Sequence, residues 1–378
     1  MDENKTRGGE MPGKHRREPR AWHWPILHRR GGLVAVIAAS CLLLAGLGVG
    51  LDWGLTGPEQ PPAAVPVLAT PHLATLGVEH TASWSLPGSP TFISLSPDGR
   101  TAYVTRENPS QIVVLDTTTG HQIGTVAIPA GPAQFVSASH DGKRIYVSVF
   151  EDTPESPVHE IDVIDTHTLT QTTTIAQTAR PFRVAVSPDD KRLLVPNHDI
   201  AQVSVIDAAT NQTTGVIDTP PNPHWVSFSR DGKLAFAANH MSNVVSVISM
   251  ATQRVSAILP VGVSPHSIAA NPRYPIMANT DYDGDDVTMC DSDTLRVVAT
   301  IPVGHNPQDI VWSPDGRFMF VTNNGSNNVS VIDARSAKVI DTIPTGSGPT
   351  SIAVGPDDRA YVTNQNSNNL SVLQFATT

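Results

Sequence analysis

The chain has 378 residues, 35 acidic against 25 basic, for a net charge of −10. Charged residues are sparse at 16%, while 27 glycines and 32 prolines suit a turn-rich all-β fold. Residues 81–378 hold 28 Asp/Glu against 17 Lys/Arg, and so acidic a body excludes general nucleic-acid binding, which needs a basic surface against phosphate.

In chain order, residues 1–30 come first, with eight Lys/Arg and four Asp/Glu. They read as a disordered, basic cytoplasmic tail. Gly31 to Leu51 is a run of 21 residues without a charge, long enough to cross a bilayer as a helix. Basic residues before it and none just after it predict a cytoplasmic N-terminus. An uncleaved signal anchor over 31–52 is the favoured reading, because the run has full spanning length. A cleaved signal peptide, with Arg29-Arg30 hinting at twin-arginine export, and a lipoprotein modified at Cys41 are the alternatives. All three place the rest of the chain outside the cytoplasm, held to the cell membrane in the first and third. Residues 53–80, rich in proline and small residues, read as a spacer. The two cysteines, Cys41 and Cys290, do not pair, so the fold needs no disulfide.

From residue 81 onward a unit repeats. Its clearest copy is Pro307 to Gly348. Four short runs rich in valine, isoleucine and phenylalanine (DIVW, FMFV, VSVID and KVIDTI) alternate with turns such as Ser313 to Gly316. These compositions predict a four-stranded antiparallel meander. Equivalent prolines fall at 90, 132, 181, 223, 265, 307 and 349, successive steps being 42, 49, 42, 42, 42 and 42. A fixed period of this length with four strands per period predicts a seven-bladed β-propeller. The last unit has three strands, while residues 81–89 match a fourth strand and its exit turn. The N-terminal strand is therefore expected to complete the last blade and close the ring, removing exposed edges. The long second unit carries an insertion at Glu151 to Glu160.

Tyr103 to Arg106, Phe320 to Asn323 and Tyr361 to Asn364 recur together with SPDG turns, VSVID strands and TIPVG exits. This pattern resembles the YVTN family of β-propeller repeats over residues 81–378. The resemblance implies bacterial or archaeal extracytoplasmic or surface proteins, related to lactonase-like propellers and to propellers that hold redox cofactors. Departures from the pattern concentrate in blades two to five. Blade three has Val195-Pro196-Asn197, with a proline where a central strand loses a hydrogen bond. Blade five has Asp281 in place of the motif asparagine and lacks the SPDG turn.

In such a repeat the exit turns and the loops after the YVTN strand share one face, at the mouth of the central channel. That register gathers Arg106, Arg183, Trp225, Asp281, Asp309 and Asn323 as candidate ligand-binding residues. Arginine forks with an aromatic platform suit an anionic or sugar-like ligand; ion pairing with neighbouring carboxylates is the competing reading. Four histidines, His198, His224, His240 and His266, share the register. Imidazoles with nearby carboxylates suit a transition metal such as zinc, copper or iron. Alternatively each histidine bonds loop backbone, and no short H-x-x-x-H motif supports the metal. The aspartates of the SPDG turns (Asp98, Asp141, Asp231, Asp315) are turn formers rather than catalysts.

The sequence therefore predicts a membrane-anchored, single-pass protein with an extracytoplasmic propeller. The propeller is read as a binding or interaction module for a protein or cell-envelope ligand. The alternative is a propeller enzyme, either a lactonase-like hydrolase or a metal-dependent oxidoreductase, with its site at the channel mouth.

Overall fold

The computed structural model describes residues 76–152 and 157–377. No helix among these residues is long and apolar enough to cross a membrane. The predicted spanning helix at 31–52, the basic tail and residues 53–75 of the spacer lie outside the described residues.

Among the described residues the strands form seven four-stranded antiparallel sheets. Each sheet is one repeat. In blade six the strands are Pro307–Trp312, Phe318–Asn323, Asn328–Asp333 and Lys338–Pro344. In every blade but the third the innermost strand begins at or next to the repeat proline, where no ladder N–H is needed. The fourth strands are the outer edges, and their burial alternates as a solvent-facing strand should. Middle strands are buried on both faces, because each blade lies between two others.

The core consequently sits between blades. Phe318, Phe320, Val329 and Val331 of blade six pack on Ile352, Val362, Leu373 and Phe375 of blade seven. Tyr361, Leu370 and Val372 of blade seven pack on Ile93, Val104 and Val113 of blade one. Strand Leu76–Ser85 lies on Asn369–Thr377, with Ser85 opposite Asn369 and Leu76 opposite Thr377. It begins five residues earlier than the sequence pattern placed it.

The repeat motifs have local physical causes. In the SPDG turns the serine hydroxyl donates to the aspartate, as Ser96 Oγ does to Asp98 at 2.6 Å, and the same carboxylate accepts from the Arg100 N–H. The YVTN asparagine turns into its own blade. Asn323 Nδ2 donates to Ser330 Oγ at 2.9 Å, and Asn364 Nδ2 to Ser371 Oγ at 3.0 Å. The glycine of the preceding exit turn covers that amide. A Cβ on Gly304 would lie 2.7 Å from Asn323 Cγ, so only glycine fits.

Candidate functional site

The seven innermost strands enclose a central channel. Across its middle, side chains close it. Phe92 of blade one meets Trp225 of blade four at 5.7 Å between ring centroids, although these blades are far apart in the ring. Phe135 packs on both, at 4.4 Å from Phe92 and 5.8 Å from Trp225, and on Phe182 at 5.2 Å. This aromatic plug separates two chemically different ends.

At the end carrying the exit turns, the four histidines do come together. The His224 ring lies 5.7 Å from His198, 5.5 Å from His240 and 4.0 Å from His266, with Tyr282 stacked on His266 at 5.3 Å. Blade register explains this: His224 and His266 are equivalent residues of neighbouring inner strands, and His198 and His240 follow equivalent YVTN-type asparagines. His224 Nδ1 lies 3.2 Å from the His266 carbonyl oxygen, and His266 Nδ1 lies 2.9 Å from that of Gln308. A carbonyl only accepts, so Nδ1 carries the proton in both rings and each ring clips one blade to the next. His198 Nδ1 is 3.0 Å from Asp199 Oδ1, which in turn accepts from Arg180. Burial lowers the affinity of His224, His240 and His266 for a second proton, that of His266 to about 3, and the neighbouring imidazoles add to the effect. These three rings are thus desolvated and disfavour a positive charge. As the side chains stand, no three His, Cys, Asp or Glu residues among the described residues are set to hold a metal ion.

The six residues expected at one mouth do not form one site. Arg106 donates to the Pro87 carbonyl at 3.1 Å on the exit-turn side. Asn323 and Asp281 point into their blades. Asp281 accepts from Asn279 and Thr288, each at 2.7 Å, and burial pushes its carboxyl up to about 8, with Asp286 beside it adding to the rise. The reason is strand geometry: one residue of displacement along a strand reverses the side chain's direction.

Arg183 and Trp225 do come together, below the plug. The Arg183 guanidinium lies over the Trp225 ring at 5.0 Å, and its Nε donates to Ser137 Oγ at 3.3 Å. Both line a cavity of about 550 Å³. All seven inner strands contribute to it, through Ser94, Ser137, Val184, Val226, Ala269, Val311 and Val354. It opens among the SPDG-type turns, at Pro188, Arg230 and Pro314, opposite to the histidines, which do not line it. Asp309 lies behind this wall, fully buried. Its carboxylate accepts from Ser267 Oγ at 3.0 Å, Ser351 Oγ at 2.8 Å and the N–H groups of Ile310 and Ile352. Burial raises its affinity for a proton, and the charge of Arg183 opposes that rise. Burial likewise draws Arg183 below its ordinary value, with Asp309 opposing.

Sequence reasoning missed Arg230, His140 and Trp312, which also line the cavity. A signal existed for two of them. His140 and Arg230 occupy the proline place of the SPDG turn in blades two and four.

A family model described as a lactonase, seven-bladed β-propeller, matches residues 144–291. That is the type of propeller to which the YVTN-like motifs pointed, and the matched stretch contains Arg183, Trp225 and the histidine quartet. No curated protein shows a significant match to the chain. Among solved structures, a chain of hydrazine synthase from Kuenenia stuttgartiensis is similar, with 22% sequence identity and a TM-score of 0.69; the alignment covers 78% of this chain and 97% of that chain. At that identity the likeness speaks for the fold alone.

Proposed function

We propose that this protein is a membrane-anchored, extracytoplasmic propeller that acts as a binding module for a protein or cell-envelope ligand. The apolar run at 31–52 would supply the anchor, and the strand Leu76–Ser85 would close the ring. The observation that supports the binding role is the central cavity of about 550 Å³, which draws on every blade and has the size and mixed lining of a ligand pocket. Its occupant enters at the SPDG-turn end, as a small molecule or as the narrow end of a larger envelope component.

A lactonase-like hydrolase is the second reading, favoured by the family match over 144–291. Hydrolysis needs a base or nucleophile at the reacting carbon. No Asp or Glu lines the cavity. Ser137 Oγ donates to the Val184 carbonyl at 2.7 Å, and His140, at the rim, is 3.0 Å from Asp190. The lining suits holding a ligand better than cleaving one.

The test is a panel of lactones and cell-envelope fragments offered to the full-length protein, reading both thermal shift and ring opening. Saturable stabilisation without turnover supports the module. Turnover that is lost in Arg183→Gln would install the hydrolase instead. Release of the protein from membranes by carbonate wash would remove the anchor from the proposal.

A further inference from the structure

We propose that the central cavity binds a monoanionic carboxylate with an apolar body, its carboxylate gripped by Arg183 and its body against the walls of blades four to six. The inference rests on the channel being a ligand site and adds the ligand's chemical class.

Charge distribution carries the argument. The chain has ten more acidic than basic residues, yet the cavity lining contains Arg183, Arg230 and His140 and no carboxylate. Arg183 holds its place through Nε on Ser137 and its face on Trp225. That leaves the terminal amino groups of the fork without a protein acceptor among the described residues. Asp309 is the nearest compensating carboxylate by electrostatic influence on Arg183, but its lone pairs already take four donors. A guanidinium held by stacking and its Nε, with its planar fork unspent, is arranged for a two-oxygen acceptor. Asp309 offsets part of its charge, so one negative charge is matched and two are not. This favours a carboxylate over phosphate. Val226, Phe228, Ile310 and Trp312 make the wall beyond the fork apolar, which suits a short hydrocarbon body. Arg230, exposed at the rim, would draw anions to the opening.

The experiment uses the full-length protein and three probes: hexanoate, the neutral hexanamide and inorganic phosphate. Binding is read by tryptophan fluorescence, since Trp225 and Trp312 line the cavity, and by calorimetry. Hexanoate should bind more tightly than hexanamide and phosphate. Arg183→Gln should weaken hexanoate about tenfold or more without changing hexanamide, and Arg183→Lys, which keeps the charge but not the fork, should restore little of it. Circular dichroism and the hexanamide titration report whether each variant keeps its channel. Equal binding of hexanoate and hexanamide, or hexanoate binding unchanged in both Arg183 variants, overturns the carboxylate subsite and leaves the channel as a neutral-ligand site. Preference for phosphate overturns the monoanion argument. If none of the three probes binds, the carboxylate subsite falls, and a failure of the envelope-fragment panel as well would remove the channel reading with it.

Discussion

Asp281→Asn should stabilise the propeller above neutral pH. Asp281 stands where four other blades carry asparagine, and burial with Asp286 beside it pushes its carboxyl up to about 8. The unfolded chain gives up this proton near the ordinary value of 3.8. Because the folded pKa is raised, the stabilisation is complete below the unfolded value and is lost as pH rises through the folded one. Three histidines act in the opposite sense. Their folded affinities are lowered by burial, so they cost stability as pH falls below about 6.5. Between about pH 7 and about pH 8 the histidines shed their last protons in the unfolded chain of both proteins alike, so the difference in slope between wild type and variant belongs to Asp281. Over that unit the wild type should lose about 1 kcal/mol relative to the variant, a little under the full 1.4 kcal/mol per proton because the native group begins to titrate. An asparagine has no proton to lose. Its amide can donate to Thr288 as Asn323 donates to Ser330. Urea denaturation of both proteins at the two pH values checks this. The gap between variant and wild type should widen by about 1 kcal/mol across the interval, with the variant the more stable at the upper pH. A variant with the wild-type slope, or one less stable at about pH 8, would refute the assignment of the slope to Asp281.

Two further outcomes are expected. Deleting Leu76–Ser85 removes the outer strand of blade seven, including Trp84, whose ring lies 5.6 Å from that of Tyr361. It should cost at least about 3 kcal/mol in denaturant unfolding, whereas deleting nine residues of the spacer, 60–68, should cost nothing; equal melting temperatures would contradict closure by this strand. Dialysis of the full-length protein against a chelator should leave its melting temperature unchanged, because Nδ1 of His224 and His266 serves blade-to-blade hydrogen bonds and no three donors among the described residues are set around a point. Stoichiometric transition metal by mass spectrometry, lost in His224→Ala and His240→Ala, would instead place a metal at the quartet and favour the oxidoreductase.

The fold was legible in the sequence because a propeller repeats a single local solution. Each turn, strand and exit glycine is specified within its own period, and seven copies reinforce one pattern. The gathering of the four histidines was legible for the same reason, since equivalent places in adjacent blades are neighbours in space. Which end of the channel a side chain serves was not. Asn323 is the motif asparagine and Arg183 lies two residues after a repeat proline, but Asn323 turns into its blade beneath Gly304 while Arg183 turns into the channel. That difference depends on the bulge after each repeat proline, as between Pro223 and Trp225, which composition does not reveal. The plug was also beyond reach, because Phe92 and Trp225 meet across the ring rather than along the repeat.

Three of the departures from the repeat nevertheless meet at one cavity. Pro196 deprives the second strand of blade three of an N–H at the residue facing its inner strand. In the other blades the inner strand runs six residues, as in Pro223–Phe228 and Pro265–Ala270; in blade three it is reduced to Ala185–Val186 with an isolated bridge from Pro181 to Asn197. Arg183 and Val184 thereby lie outside a regular ladder, while the Phe182 N–H still donates to the Pro196 carbonyl at 3.0 Å. Arg183, in this irregular stretch, lays its guanidinium on Trp225 of the next blade. The substitutions of proline by His140 and Arg230 in neighbouring turns put further basic groups around the same opening. A lost hydrogen bond and a desolvated cation each work against a regular blade, while the two turns keep their serine–aspartate bonds and change only the side chain at the rim. Their convergence on one cavity is what the anionic occupant proposed above would require.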